Sequence, residues 1–269
     1  MLARRPSGFT LVELMVAIVI SGILVGVIFQ FLLGQTRFAR LQSAREEVQQ
    51  NARVALDVIS SDLRAIGPQG IIAASANAIT YRAPRAWGVV CGYSGGSLAV
   101  IFPGPAAPML KAGSDSLAVG SNFHQVSDVT GDGSGAAAAC NAGVAPNPAI
   151  TAAEGRARLY NLPAGAPTYL RRQDAYVYDR LTYDIGTSAA VPGATWIRRN
   201  PGSGAQPLAG PLPANGGLVF AYEDGNGATT ADPNAMRRIK VTVTTNSRAR
   251  FKDQAQADTD STIIYLRNR

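Results

Sequence analysis

The sequence contains very little histidine and cysteine: one histidine and two cysteines among 269 residues. A typical structural zinc site takes four ligands, most of them from these two residue types. With His124 as the single histidine, the composition disfavours a zinc centre. It leaves Cys91 and Cys140 for another role, such as pairing with each other.

Charge is missing from a long stretch near the N-terminus. Residues 14–29 contain no charged side chain, and Ser21 is the only polar one among them. A helix of this composition is apolar on every side and is unstable in water. As a helix, residues 9–33 would be roughly 37 Å long, which is enough to cross the hydrocarbon core of a bilayer. The sequence therefore predicts a segment that lies in lipid or inside a helix bundle.

One acid, Glu13, stands at the start of this apolar run, after a short leader that contains Arg4 and Arg5. A carboxylate is costly in lipid, and acids within membrane segments are usually paired and functional. Glu13 therefore needs a cationic partner, and the leader end of the helix suggests one.

Residues 8–13, Gly-Phe-Thr-Leu-Val-Glu, resemble the signature of the type IV pilin superfamily, in which a basic leader and a glycine precede a hydrophobic helix. The resemblance implies that a prepilin peptidase removes residues 1–8 by cutting after Gly8 and that it N-methylates Phe9. It also implies that Glu13 neutralises the N-terminal amine of a neighbouring subunit when helices stack into a filament, so that one buried charge meets another.

Two other interpretations of the N-terminus remain open. A secretory signal peptide has a shorter apolar stretch and then a cleavage site between small residues, whereas this run continues into an amphipathic helix. A plain single-pass anchor explains the length and places Arg4 and Arg5 on the cytoplasmic side. It leaves Glu13 and the junction between Gly8 and Phe9 unexplained, and the pilin-like interpretation accounts for both.

The apolar run continues into a predicted amphipathic helix. Apolar residues spaced by three and four predict one buried face, and they are Leu41, Ala44, Val48, Ala52, Ala55, Ile59, Leu63 and Ile66. Gly67 and Pro68 should end the helix. A helix over residues 9–66 would be roughly 87 Å long, so half of it should project from the globular part as an assembly handle.

The remainder of the chain has short strand-like runs separated by turns, a pattern typical of antiparallel sheet. The predicted strands are 79–82, 98–102, 156–162, 175–184, 195–199, 217–222, 237–245 and 262–267. In the clearest of them Ile239, Val241 and Val243 alternate with polar residues, which predicts one face on the core. Segments 103–155 and 200–216 are rich in small residues and proline, and they are predicted to be long surface loops.

These patterns predict an α+β fold in which a long N-terminal helix packs on the antiparallel β-sheet of a large globular head. The predicted parts are a leader (1–8), a hydrophobic transmembrane or filament-core helix (9–34), an amphipathic helix (35–67) and a β-rich head (68–269). Further stretches resemble PilW-type minor pilins and the related J-type pseudopilins of type II secretion, and they are residues 51–64, 218–224 and 263–269.

Cys91 and Cys140 lie in the part that would be exported, where oxidising conditions favour a disulfide. Closing such a loop would contribute ~4 kcal/mol in the chain-entropy model. Two unpaired buried thiols are the alternative.

Residues 92–96, Gly-Tyr-Ser-Gly-Gly, fit the G-x-S-x-G pattern of a serine nucleophile, and Asp115 and His124 follow in hydrolase order. That elbow requires a helix directly after the serine, but residues 98–102 are predicted to be a strand. A glycine-rich turn and a non-enzymatic protein are therefore the prediction, with a membrane-anchored hydrolase as the rival.

Two acidic loops are weak calcium candidates, because calcium prefers oxygen ligands. They contain Asp128 and Asp132, and Asp224 and Asn226, respectively. Neither loop has the ligand spacing of an EF-hand, so an ordinary turn is favoured, and no other cofactor is predicted.

The net charge of +7 and the basic residues of the last hairpin raise the alternative of binding to DNA phosphates. The candidate contacts are Arg238, Lys240, Arg248 and Arg250. Adjacent basic residues on a strand point to opposite faces, and no aromatic stacking platform is interleaved with them. Nucleic acid is therefore a disfavoured partner.

The favoured prediction is a minor pilin in a type IV pilus-like filament, with assembly or priming at or near the tip. Its partners would be other minor pilins, the major pilin, the prepilin peptidase and the inner-membrane assembly machinery. It would first lie in the bacterial inner membrane and then in a surface pilus or a periplasmic pseudopilus. The alternatives are a J-type pseudopilin of type II secretion and a DNA-binding minor pilin for DNA uptake.

Overall fold

One long helix dominates the fold. In the computed structural model, helix α1 (Leu11–Arg64) is continuous over 54 residues, which makes it roughly 81 Å long at about 1.5 Å per residue. The helix predicted over residues 9–66 is therefore present, with its observed ends at Leu11 and Arg64. The structure describes residues 10–67, 69–94, 96–104, 115–128, 133–142, 151–188, 191–202, 204–251 and 254–266.

Strands follow α1 along the chain. They are β1 (Ile71–Ala74), β2 (Ile79–Ser94), β3 (Ser97–Ile101), β4 (Asp115–Val119), β5 (Asn122–Gln125), β6 (Ser127–Asp128), β7 (Ala157–Asn161), β8 (Asp174–Ser188), β9 (Val191–Asn200), β10 (Gln206–Ala209), β11 (Leu218–Glu223), β12 (Arg238–Phe251) and β13 (Gln254–Tyr265). A short helix, α2 (Gly133–Asn141), lies between β6 and β7, and a 3-10 turn (Ala152–Glu154) precedes β7.

The described strands pair antiparallel and form two sheets. The larger sheet has 10 strands, with the order β10-β9-β8-β2-β3-β7-β6, and β1 pairs with β2 while the hairpin of β4 and β5 pairs with β8. The smaller sheet has the order β11-β12-β13. A long helix followed by antiparallel sheets confirms the predicted α+β, pilin-like architecture.

The predicted strands are all present, and several are longer than predicted. The run predicted over residues 79–82 extends to Ser94 in β2, where it pairs with both β3 and β8. In β12 the alternating residues Ile239, Val241 and Val243 are fully buried. Alternation of apolar and polar residues therefore identified the core face of this strand correctly.

The prediction that residues 103–155 and 200–216 are long surface loops is wrong for their described parts. β4, β5, β6 and α2 lie in the first segment, and β10 lies in the second. These strands are short, and they are stabilised by pairing with β8, β7 and β9 rather than by a periodic pattern of their own. α2 is rich in alanine, the residue with the highest helix propensity.

The C-terminal half of α1 shares a core with both sheets. Its predicted buried face is confirmed, because Ala52, Ala55, Ile59 and Leu63 are each 0% exposed. Residues of the larger and the smaller sheet complete this core, among them Tyr81, Leu181, Tyr183, Ile197, Phe220, Val241 and Ile264. Packing against the sheets therefore stabilises this half of the helix.

Two further clusters stabilise the end of the larger sheet that does not contact α1. One lies between β3, β4, β7 and β8, and it includes Leu98, Val100, Leu117, Tyr160 and Val177. The other lies under α2, and it includes Ala99, Ala136, Ala137, Cys140 and Ala157. Each cluster is separate from the core that holds α1.

Candidate functional site

Thr10 and Glu13 form the N-terminal cap of α1. The backbone N of Thr10 donates to Oε2 of Glu13 at 3.0 Å, and Oγ1 of Thr10 donates to the same oxygen at 3.1 Å. In return, the backbone N of Glu13 donates to Oγ1 of Thr10 at 3.3 Å. This reciprocal capping box satisfies donors that the first turn of a helix leaves unpaired. Gly8 and Phe9, the predicted cleavage and methylation residues, lie outside the described residues.

The N-terminal half of α1 exposes apolar side chains on every side. Each residue from Thr10 to Arg40 is exposed, including bulky ones such as Phe29, which is 62% exposed. The most apolar window of the helix has a mean hydropathy of 2.7, and its length and composition suffice to cross a membrane. Because such a surface is unstable in water, this half requires lipid or other helices around it.

Small residues mark two sides of this exposed half. Ala17 and Ser21 follow Glu13 at intervals of four, and with it they line a shallow groove of about 370 Å³. Gly22 and Gly26 lie roughly 130° around the helix from the centre of that groove, at about 100° per residue. Apart from the neighbouring residues and the backbone of α1 itself, no described atom lies within 4 Å of a Cβ placed on either glycine. Glycines four residues apart allow two apolar helices to approach closely. The four-residue interval between Gly22 and Gly26 is visible in the sequence and could have predicted a helix-packing face, but it was not used for that purpose.

Polar contacts fix the C-terminal half of α1 to the head. Oγ1 of Thr245 donates to the carbonyl O of Val48 at 2.9 Å, and Nδ2 of Asn51 donates to the carbonyl O of Gly210 at 3.3 Å. Ala44 is the first buried residue of the helix. The head therefore holds α1 from about Ala44 onward, and the preceding residues project from it.

Asp62 ties the last turns of α1 to the larger sheet. Its Oδ2 accepts from the Tyr81 hydroxyl at 3.1 Å, the Tyr183 hydroxyl at 2.6 Å and Nε of Arg199 at 3.0 Å. Burial raises the pKa of both tyrosines, and the Asp62 carboxylate adds to the effect. The three partners stand 19, 121 and 137 residues from Asp62, so sequence reasoning missed this network.

Cys91 of β2 and Cys140 of α2 form a disulfide, with their Cα atoms 4.6 Å apart. It joins α2 to the larger sheet within the small cluster under α2. The crosslink therefore belongs to the part of the head that does not hold α1.

The G-x-S-x-G segment lies at a hairpin. β2 ends at Ser94 and β3 begins at Ser97, so a strand follows where a nucleophile elbow requires a helix. Nε2 of His124 contacts the hydroxyl of Tyr169. Gly95 and the side chains of Ser94 and Asp115 lie outside the described residues.

Of the calcium candidates, Asp132 and the side chain of Asp128 lie outside the described residues. Oδ1 of Asp224 accepts from the backbone N of Asn226 at 2.8 Å and of Ala228 at 2.9 Å, which uses this carboxylate to close a turn. Across the described ranges, no group of three or more His, Cys, Asp or Glu side chains is arranged to hold a metal ion. Calcium binding stays a prediction.

The basic residues predicted to contact DNA do not form one free cationic surface. Nε of Arg238 lies 3.2 Å from Oε2 of Glu223, and Nε of Arg248 lies 3.6 Å from Oε1 of Glu47. Lys240 is exposed, and the side chain of Arg250 lies outside the described residues. At least two of the four cations are therefore already neutralised within the chain.

Comparison with known proteins finds a family motif at the N-terminus. The family model of the prokaryotic N-terminal methylation motif matches residues 3–29. A search of curated proteins and a search of solved structures each returned no match. The matched residues include Glu13, the groove beside it and the two glycines. The motif, the exposed apolar half of α1 and the sheet-rich head together support a type IV pilin-like protein with an N-terminal membrane-anchoring helix. A motif of this kind generally implies processing by prepilin peptidase and assembly with other pilins.

Proposed function

We propose that this protein is a minor pilin of the PilW type, a structural subunit that assembles or primes a type IV pilus-like filament at or near its tip. The observation that carries the proposal is the contrast within α1. Its N-terminal half is apolar and exposed on all sides, whereas its C-terminal half is held in the head. A chain built in this way needs neighbouring helices to cover the exposed half once it leaves the membrane.

Packing of neighbouring helices would use the two sides that carry small residues. The groove beside Glu13 and the face of Gly22 and Gly26 are centred on different sides of α1, so each helix can contact a neighbour on both. Removal of the leader after Gly8 would create a new amine at Phe9. The Glu13 carboxylate of one subunit would then exchange its hydrogen bonds to Thr10 for the amine of a neighbouring subunit, which sets the register between subunits.

The size of the head supports a minor role. The described residues after α1 form two sheets and a separate disulfide-linked cluster, a head larger than a repeating shaft subunit normally carries. A position at the tip, or in a complex that starts assembly, accommodates such a head without repeating it along the shaft. The other minor pilins, the major pilin and the inner-membrane assembly machinery would be the partners.

The test is replacement of Glu13 by Ala in cells that make the filament, with Glu46→Ala as the matched control. Glu46 is an exposed acid on the same helix. We expect Glu13→Ala to be cleaved and methylated normally, by mass spectrometry of the mature N-terminus, but to enter sheared filaments roughly tenfold less, the effect of losing ~1.4 kcal/mol. Glu46→Ala should enter normally. Normal incorporation of Glu13→Ala would remove its docking role.

A J-type pseudopilin of type II secretion would share each of these N-terminal features. Deletion of the gene separates the two functions. Loss of surface filaments with unchanged protein secretion supports the minor pilin. Loss of secreted proteins with unchanged filaments would replace it with the pseudopilin.

A further inference from the structure

A cleft opens at the end of α1 that lies away from the membrane segment. It has a volume of about 530 Å³ and is lined by the connection between α1 and β1 on one side and by aromatic residues of β5 and β8 on the other. Arg64 lies roughly 46 Å along the helix from Leu33, at about 1.5 Å per residue. The cleft is therefore remote from the segment that assembles, and it would stay accessible in a filament whose core is the N-terminal half of α1.

The cleft has an aromatic wall. The ring of Tyr178 lies 5.9 Å from that of Phe123 and 6.2 Å from that of Tyr176, measured between centroids. Tyr176 is 37% exposed, and Trp87, directly opposite it on β2, is 44% exposed. Large aromatic side chains at this exposure offer faces on which a planar ligand can stack.

Two arginines stand at one end of this wall. The guanidinium carbon of Arg82 lies 4.1 Å from the centroid of the Phe123 ring, and Arg82 pairs directly across the ladder with Arg180. Like charges opposite each other destabilise a sheet. Within the described residues, neither arginine forms an ion pair, and Asp179, on the opposite face of β8, is paired with Arg85 at 2.8 Å. Arg180 is exposed and Arg82 is half-buried. The charge of Arg180 is therefore accessible to an anion, and Arg82 adds positive charge beside it.

The rim of the cleft is held in an unusual backbone conformation. Gln69 has a φ of 55°, which a residue with a side chain rarely adopts. Nη1 of Arg82 donates to the carbonyl O of Gln69 at 2.7 Å and fixes it there. Strained residues of this kind concentrate at ligand clamps and other functional sites. The arginine that meets the aromatic wall thus also fixes the rim.

We propose that this cleft and the adjoining surface of β2 and β8 bind single-stranded nucleic acid, with bases stacked on Tyr176 in the cleft and on Trp87 beside it, and with phosphates near Arg180 and Arg82. Proteins that bind single strands combine cations along the backbone with aromatic side chains under the bases. A duplex hides its base faces, and a neutral sugar polymer would offer no anion to the exposed Arg180. The site does not involve the hairpin residues Arg238, Lys240, Arg248 and Arg250, and it does not depend on the proposed filament role.

The test uses the full chain in detergent micelles and a fluorescent oligothymidylate of about fifteen nucleotides, with anisotropy measured at several salt concentrations. We expect Tyr176→Ala to raise Kd by about tenfold, because a base loses its stacking partner, and Tyr176→Phe to retain binding. Arg180→Gln should lower the slope of log K against log salt by about 0.7, the value for one phosphate contact on a single strand.

The matched control removes two cations elsewhere, in the double variant Lys240→Gln and Arg248→Gln, and it should bind as the unchanged protein does. The same oligonucleotide annealed to its complement should bind more weakly than the single strand. Failure of the single strand to bind, equal binding of the duplex, equal losses in the control variant, or displacement of the oligonucleotide by a neutral oligosaccharide would each overturn the proposal.

Discussion

The two halves of α1 share one backbone helix but differ in what surrounds them. From Thr10 to Arg40 the side chains are exposed on every side, and Glu13 is hydrogen-bonded within its own first turn. From Ala44 to Leu63 one face is buried, from Ala52 onward in a core shared with both sheets, and Asp62 is bonded to three strands. The chain therefore covers the C-terminal half of α1 with its own head and leaves the N-terminal half uncovered.

The C-terminal half of α1 contributes to folding of the head, and the N-terminal half contributes to assembly with other subunits. Most helical stability in proteins comes from packing of an apolar face rather than from helix propensity. The C-terminal half obtains that packing from its own head, and the N-terminal half must obtain it from lipid or from neighbouring subunits. Substitutions in the two halves should therefore act on different measurements.

Replacement of Leu63 by Ala should have the largest effect on folding. Leu63 is fully buried, and Leu→Ala in a core costs about 2–5 kcal/mol. The same change at the exposed Leu24 should alter the free energy of unfolding of the head by less than about 0.5 kcal/mol. Urea unfolding of both variants in detergent, followed by near-UV circular dichroism, measures the difference. Equal destabilisation would show that the two halves are not independent.

Replacement of Asp62 by Asn should lower the free energy of unfolding by about 1.5–3 kcal/mol, because the carboxylate accepts three hydrogen bonds. Its partial exposure and that of Arg199 place the ion pair itself at the low end of such values. Asp57→Asn, at an exposed position on the same helix, is the control and should unfold as the unchanged protein does. A loss of similar size in both variants would refute the anchoring role of Asp62.

Alkaline pH should also destabilise the contact between the C-terminal half of α1 and the larger sheet. Burial raises the pKa of Tyr81 and Tyr183 in the folded state, so the unfolded state loses these protons first. The stabilisation is complete below about pH 10, the ordinary tyrosine value, and falls above it by about 1.4 kcal/mol per pH unit for each hydroxyl. Unfolding measured from pH 9 to 11 tests this, and Tyr81→Phe should lessen the slope. A pH-independent free energy over that range would contradict it.

Sequence reasoning succeeded where the signal is local. The spacing from Leu41 to Ile66 predicted the buried face of α1, and the alternation of Ile239, Val241 and Val243 predicted the core face of β12. Both rest on the fixed periods of helix and strand. The residues at 8–13 predicted the N-terminal methylation motif that matches residues 3–29 for a similar reason, since its residues are consecutive.

It failed where distant segments determine the structure. Asp62 finds its partners on three strands, and the cleft joins Phe123 to Tyr176 and Tyr178 across the pairing of β4 with β8. Strand register, which the sequence does not display, brings these residues together. The short strands and α2 were missed because small residues gave no periodicity, although their partner strands were correctly predicted.

In a free subunit, the amide and hydroxyl of Thr10 already hold the Glu13 carboxylate. When the subunit joins a fibre, the carboxylate would exchange its hydrogen bonds to Thr10 for the amine of a neighbouring subunit. When the subunit leaves the fibre, the hydrogen bonds to Thr10 would form again. The net gain from the exchange is smaller than that of a contact formed by an unpaired charge. Release of a subunit would then cost little electrostatic free energy, and a released chain would return to the bilayer with its carboxylate already hydrogen-bonded.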